Sequence, residues 1–284
     1  MNAFTPDFSW YQLAAGLGLA ALISLAAYAA RSLSISGAIA AALLGTAVFG
    51  LGGFAWAVLL VGFFVSSSAL SRMFKRRKAG VVEKFSKGSR RDAGQVLANG
   101  GVAGLLALTQ ALFPSAGFLW AAAAGTLAAV NADTWATELG ILSKVNPRLI
   151  TNGKEVEKGT SGAISWTGTL AALGGAASIG VLAILVWPDY AGGASLGAAP
   201  IRLVMITLAG LAGSLVDSLL GATVQAIYYC PKCDKETERH PQHSCGSETR
   251  QIRGWTWLNN DGVNWICAIS GALAAFILAV AFGI

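Results

Sequence analysis

Residues 201–227 read IRLVMITLAGLAGSLVDSLLGATVQAI, a run of apolar and small residues in which Arg202 and Asp217 alone are charged. Crossing the roughly 30 Å hydrocarbon core of a bilayer takes about 20 residues of helix, so a run of this length reads as a membrane-spanning helix. Working outward, comparable runs occupy 10–30, 33–50, 53–71, 94–113, 116–142, 162–187 and 262–283. The whole composition agrees: 55% hydrophobic residues, 12% charged and a mean hydropathy of +0.60 belong to a membrane protein. The expected fold is all-α: a polytopic membrane helix bundle of about eight transmembrane helices, forming one transmembrane domain over 1–284 with a small insert at 228–258. Gly50, Gly52 and Gly53 leave almost no loop between the second and third runs, so those two also read as a re-entrant pair. The first run has no basic start and no small-residue cleavage site, and is expected to be a retained helix.

The basic residues set the orientation. Arg31, nine Lys and Arg from Arg72 to Arg91, four from Lys144 to Lys158 and five from Lys232 to Arg253 fall on one side of an eight-span chain, leaving Arg202 of the 20 on the other. Positively charged loops stay inside, which places the basic loops in the cytoplasm and both termini outside, as in a bacterial inner (plasma) membrane protein. The connections left for the outer side, Pro114 to Ala116 and Pro188 to Pro200, are chemically plain.

Polar residues gather at the inner ends of the spans. Asp133 lies in A-D-T-W-A-T-E-L-G (132–140) and Asp217 in G-S-L-V-D-S-L-L-G (213–221). A carboxylate at membrane depth costs at least about 2.5 kcal/mol, so two of them flanked by hydroxyls and glycines mark a site. Asp217, Gly221 and Gln225 recur at i, i+4 and i+8 on one helical stripe, and Asp133 and Thr137 at i and i+4 on another. Thr137 and Gln225 also suit plain interhelical hydrogen bonding.

Carboxylates beside basic loops suit a divalent cation such as Mg²⁺, which takes one or two carboxylates together with phosphate oxygens. The segment K-G-T-S-G-A-I-S (158–165) offers Lys158, Thr160, Ser161 and backbone N–H groups where a helix begins, a place that favours an anion; a capped helix start explains it equally well. Its spacing is not that of a Walker P-loop. Lys87, Arg90 and Arg91, followed by Gln95 and Asn99, form a second candidate phosphate site, whereas Lys75 to Lys78 are explained by the inside-positive bias alone.

Cys230, Cys233 and Cys245 with His240 and His243 give C-x-x-C followed by H-x-C, with both histidines of the chain in one loop. On the reducing side of a membrane this is a zinc knuckle rather than a disulfide framework, with Cys230, Cys233, His243 and Cys245 as ligands and His240 as the substitute. Four protein ligands close the coordination sphere, so the zinc is expected to be structural. Cys267, in the last span, is ordinary packing. At the entrance to that span Asn260, Asp261 and Asn264 form a polar patch that capping alone does not require.

Four blocks in order, A-D-T-W-A-T-E-L-G, K-G-T-S-G-A-I-S, G-S-L-V-D-S-L-L-G-A-T-V-Q (213–225) and L-N-N-D-G-V-N (258–264), resemble an integral membrane family that includes human transmembrane protein 19 and the plant phytyl-phosphate kinase of tocopherol synthesis. The likeness runs from about position 15 to the C-terminus. Its bacterial members are similar in the C-x-x-C and H-x-C insert. More distantly, the order of the blocks is similar to that of CTP-dependent dolichol and phytol kinases and of phosphatidate cytidylyltransferase.

The resemblance implies a membrane kinase acting at the cytoplasmic leaflet, transferring a phosphoryl group from CTP or another nucleoside triphosphate, with Mg²⁺, to a prenyl monophosphate such as phytyl or geranylgeranyl phosphate; no nucleic-acid partner is expected. Asp133 and Asp217 would hold metal or nucleotide phosphates. Lys158 with Thr160 and Ser161 would contact phosphates, and Asn260, Asp261 and Asn264 would complete the site. Thr134, Glu138 and Ser218, next to the two aspartates, join it as candidates. The chain departs from the cytidylyltransferase pattern at Ser214, where those enzymes carry an acid, which leaves the number of metals open. Two alternatives stand beside the kinase: a CTP-dependent lipid cytidylyltransferase, and an ion-coupled transporter or lipid scramblase using the acidic stripe.

Overall fold

The computed structural model describes residues 9–74, 84, 87, 88, 90–193, 195 and 197–283; Lys75 to Lys78 lie outside the described residues. Among the described residues, eight long helices follow one another: α1 (Trp10–Ala29), α2 (Ile35–Gly52), α3 (Phe54–Met73), α4 (Ala93–Leu112), α5 (Phe118–Gly140), α6 (Trp166–Leu185), α7 (Ala199–Thr223) and α8 (Asn260–Phe282). They alternate in direction. The described residues that follow α1, α3, α5 and α7 gather at one end of the bundle, and those that follow α2, α4 and α6 at the other. α2 and α3 are separate helices of 18 and 20 residues, each long and apolar enough to cross a membrane, joined at Gly53, whose φ of +84° permits the abrupt turn.

Seven of the eight helices are long and apolar enough to cross a membrane; α5 falls short of that apolarity although it is 23 residues long. The reason is its position. Every residue from Leu119 to Ala132 is buried, because α3, α4, α6, α7 and α8 all pack around α5, so it presents little surface to lipid and tolerates Asn131, Asp133 and Glu138. Small residues allow this central packing: a Cβ added to Gly271 or Gly213 would lie 2.5 Å from Ala129 Cβ. Close backbone approach through Gly and Ala is how helices associate where lipid removes the hydrophobic drive.

The all-α expectation needs two small additions. β1 (Arg148–Leu149) pairs antiparallel with β2 (Ala163–Ile164) between α5 and α6. Between α7 and α8, β3 (Ile227–Cys230), β4 (Lys235–Thr237) and β5 (Arg250–Arg253) form an antiparallel sheet in the order β4-β3-β5. The stripe expected from Asp217 to Gln225 is therefore cut, because α7 ends at Thr223 and Gln225 lies beyond the helix. The Arg253 guanidinium ends it by donating to the carbonyls of Gly221 and Ala222, both at 3.0 Å. That supplies the terminal acceptors of a helix with the cation they favour.

Candidate active site

At the end where the basic segments gather, α3 to α8 surround a cavity of about 490 Å³. The ends of α5 and α7 bring acids to it, while α4, α6 and α8 begin beside it. Each of these three starts is capped by a side chain: Asp92 accepts from Gln95 N at 2.9 Å, Ser165 from Gly168 N at 3.1 Å and Asn259 from Gly262 N at 3.0 Å. The caps fix where each helix begins, and the positive ends of three helix dipoles converge on one space.

Asp133 and Asp217 both line this space, together with Thr134, Thr137 and Glu138 on α5 and Ser214 and Ser218 on α7. The Oδ2 atom of Asp217 is buried and meets no hydrogen-bond donor among the described residues. A third acid, Glu238, reaches the cavity from the segment after β4. Its backbone N–H donates to the Lys84 carbonyl at 2.8 Å, and its carboxylate accepts from Gln225 Nε2 at 3.0 Å. Asp133, Asp217 and Glu238 lie close enough to repel one another electrostatically. Carboxylates lining one cavity, one of them with a buried oxygen that lacks a donor, offer the kind of oxygen ligand a divalent cation takes, although the three acids are not drawn together as tightly as Cys230, Cys233, His243 and Cys245.

The basic side chains differ in what holds them. Lys87 forms ion pairs with Asp92 at 2.9 Å and Asp261 at 2.5 Å. Burial pulls its ammonium down, but the two carboxylates outweigh this and hold it above the usual lysine value. Arg91 is fastened through its backbone: Ser34 N donates to Arg91 O, and Arg91 N to Ser32 O, both at 2.9 Å. A Cβ on Gly37 would lie 2.2 Å from Arg91 O, so this approach needs glycine there. Burial lowers the Arg91 guanidinium to about 10, against the attraction of Glu138. Lys158 Nζ donates to the carbonyls of Ser143 at 2.5 Å and Ile141 at 3.3 Å just past α5, and also lines the cavity.

The cavity gathers Lys87, Arg91, Gln95, Asn99, Asp133, Thr134, Glu138, Lys158, Thr160, Ser161, Asp217, Ser218, Asn260 and Asn264 from the sequence-derived set. Three candidates stand elsewhere. Arg90 turns away, donating Nε to Leu33 O at 2.8 Å and lying over the Tyr28 ring at 5.2 Å. Gln225 is buried behind the wall, where it accepts from Ser161 Oγ at 2.8 Å and donates to Glu238. Asp261 serves through Lys87 rather than lining the space itself. Sequence reading missed Glu238, because a loop acid among other charged residues has no periodicity to single it out. It also missed Ser71 and Thr169, hydroxyls near helix ends that resemble ordinary helix-end residues.

Beside the cavity, Cys230, Cys233, His243 and Cys245 bring one ligand atom each to within 4.8 Å of one another, a cluster that could hold a metal ion such as zinc. The Cys230 and Cys245 sulfurs are 3.6 Å apart, and His243 Nδ1 is 3.4 Å from Cys245 Sγ. His240 is not part of the cluster: it stacks on Tyr228 with ring centroids 4.4 Å apart and an interplanar angle of 11°. Cys267 is buried in α8.

A multi-helix membrane protein with an acid-lined polar cavity at one end of its bundle is the class these features define. The chain belongs to the integral membrane protein DUF92 family, whose model matches residues 18–272. It is 34% identical over 279 residues to Protein PGR of Arabidopsis thaliana, covering 93% of each chain. An uncharacterized membrane protein of Methanocaldococcus jannaschii is 36% identical over 196 residues, 68% of this chain and 74% of its own. Protein VTE6, chloroplastic, of Arabidopsis thaliana is 30% identical over 259 residues, 87% of this chain and 65% of its own. No solved structure matches the chain. The family resemblance read from the four sequence blocks is thus borne out.

Proposed function

We propose that the protein is a membrane-embedded kinase that transfers a phosphoryl group from CTP, or another nucleoside triphosphate, to a prenyl monophosphate at the cytoplasmic leaflet. The observation that carries this reading is the meeting of Asp133, Asp217 and Glu238 with Lys87, Arg91 and Lys158 in one cavity beside three helix starts. The resemblance of the four blocks to the plant phytyl-phosphate kinase supports the choice of reaction, and the match to the chloroplastic Protein VTE6 is consistent with it.

In this reading Asp133 and Asp217 would hold Mg²⁺, with Glu238 supplying the acid missing at Ser214; the ion would neutralise charge on the nucleotide phosphates. The chain itself positions the reactants. Thr160, Ser161 and the start of α6 cradle donor phosphates, and Arg91 with Lys87 balances the acceptor phosphate. The acceptor already carries an ionised phosphate, so the site needs no strong general base, and orientation with charge neutralisation dominates. The Cys/His cluster would bind structural zinc and thereby hold the 228–258 insert, with Glu238, against the cavity. Nineteen of the 20 Lys and Arg, all but Arg202, fall in the segments assigned to the inner side, which supports a site on the cytoplasmic side of the membrane.

Purified protein incubated with Mg²⁺, labelled CTP and phytyl or geranylgeranyl monophosphate should yield the labelled prenyl diphosphate. No such product across several prenyl chains and nucleotides would remove the kinase. A liponucleotide product would favour the cytidylyltransferase, and nucleotide-independent flux in vesicles the transporter.

A further inference from the structure

A second, smaller cavity of about 90 Å³ lies among α1, α2, α3 and α4 and is almost wholly apolar. Its walls are formed by Ala20 and Ala27 of α1, Leu44 and Gly45 of α2, and Leu60 and Phe64 of α3. Packing explains the gap. α1 lies against α2, and α2 against α4, but α1 and α3 make no comparable contact, so the space between them is unfilled. At its outer edge Ile23 and Val61 line the gap and are 39% and 37% exposed on the lipid-facing side of the bundle.

At its inner edge the gap meets the polar cavity. Arg91, Gln95 and Asn99 line both spaces, so one row of side chains separates an apolar slot from the acid-lined site. Arg91 suits this boundary: its guanidinium carbon lies 5.5 Å from the Phe63 ring centroid and 5.9 Å from that of Phe64, while its charge feels Glu138 on the polar side. A planar guanidinium can stack on an aromatic face and still offer paired N–H donors to a phosphate. Gln95 Oε1 accepts from the Asp92 N–H, and Asn99 Nδ2 donates to Gln95 O, which fixes both amides at the same edge.

We infer that the slot among α1 to α4 seats the isoprenoid chain of the acceptor, entering from the bilayer between α1 and α3, and that Arg91, Gln95 and Asn99 receive its phosphate where the slot opens into the polar cavity. This rests on the kinase reading. The occupant follows from three features: the walls are apolar, the polar end carries a half-buried cation suited to a phosphate monoester, and the small volume, about 90 Å³, suits one chain rather than the paired acyl chains of a glycerolipid. The last feature separates a prenyl phosphate from the two-chain lipid that a phosphatidate cytidylyltransferase would use.

The test uses geranylgeranyl monophosphate with a photoactivatable diazirine at its far end, crosslinked to detergent-solubilised full-length protein and mapped by mass spectrometry. Label is expected on Ile23, Leu44, Val61 or Phe64, and should be competed away by unlabelled geranylgeranyl monophosphate. Label confined to α6, α7 or α8, or label that does not compete, overturns the slot. Ala41 of α2 also lines the slot, and Ala41→Phe and Val61→Trp fill it away from the polar row. They should raise KM for geranylgeranyl monophosphate about ten-fold, the loss of roughly two buried methylenes, while leaving KM for CTP and turnover of dimethylallyl monophosphate within two-fold. Equal loss for long and short acceptors, with the melting temperature retained, also overturns it. Competed slot labelling without product would sink the kinase and spare the slot; product formation with labelling elsewhere would do the reverse.

Discussion

Arg91 and Arg202 stand at opposite ends of the same bundle, and their surroundings assign them opposite work. Arg202, on α7 at the end away from the polar cavity, is 5% exposed, donates to Gly193 O at 2.6 Å and lies 4.2 Å over the Trp187 ring. Around it Trp56, Trp120 and Trp187 pack edge to face, and Trp56 Nε1 donates to the Tyr190 hydroxyl at 2.8 Å. Its charge is spent on the loop and the ring beside it. Arg91 is anchored through its backbone, so its side chain remains directed at the two cavities. A buried charge enclosed by protein partners fastens the fold; one that faces open space is available to a ligand.

The largest break in this comparison comes from the acids at the Arg91 end. Asp217→Asn should lower kcat by about 10³-fold, as loss of a metal-holding carboxylate in phosphoryl transfer would, without lowering Tm, because it relieves repulsion within the cluster. Parallel rate and thermal-unfolding measurements check this, and a large fall in Tm would mean that Asp217 is structural. Zinc withdrawal comes next. Chelation, or Cys230→Ser, should free the insert, remove Glu238 from the cavity and cut activity about 100-fold, with the thiols becoming titratable by a thiol reagent. Activity that survives thiol exposure would detach the insert from the site.

Smaller effects separate the two arginines. Arg91→Met should raise KM for the acceptor about 50-fold, the worth of a charged hydrogen bond, with little change in Tm. Arg202→Met should do the opposite: a stability loss of about 2 kcal/mol with kcat within two-fold. If both variants lose activity equally, the contrast fails. Smallest is Asp92, the N-cap of α4. Burial raises its carboxyl, but the Gln95 N–H and Lys87 outweigh this and hold it below 3.8. Such a group stabilises fully above the ordinary carboxylate value, and that contribution is lost as the pH falls through the lowered one. Asp92→Ala should cost about 1 kcal/mol at neutral pH, and the difference from the wild type should shrink on strong acidification. Stability curves at several pH values read this directly.

Much of the architecture was legible because hydrophobic runs and basic loops obey simple rules. All eight helices lie where the runs do, whereas the caps Ser34 and Asp92 that begin α2 and α4 emerge only in the structure. Asp133 and Asp217 were legible because ionised groups in apolar runs are costly. Arg90 and Arg91 show the limit: they are neighbours in sequence, yet one is directed at Tyr28 and the other at the cavities. Asn131 shows it again. Two residues before Asp133, it is satisfied by Gly175 O, Ser178 Oγ and Ser66 Oγ at 2.8 to 3.1 Å, a structural network with no sequence signature.

The sequence by itself determined that the chain is a membrane helix bundle, that its basic segments share one end, and that two carboxylates and a Cys/His cluster mark that end. Those facts follow from transfer energies and ligand chemistry, which depend on residue type and order. Only the tertiary structure decided that α5 is the enclosed helix, that Glu238 joins Asp133 and Asp217, that Gln225 lies behind the site, and that Arg91 divides a polar cavity from an apolar slot. Each is a meeting of segments distant in the chain, set by how closely small residues let helices pack.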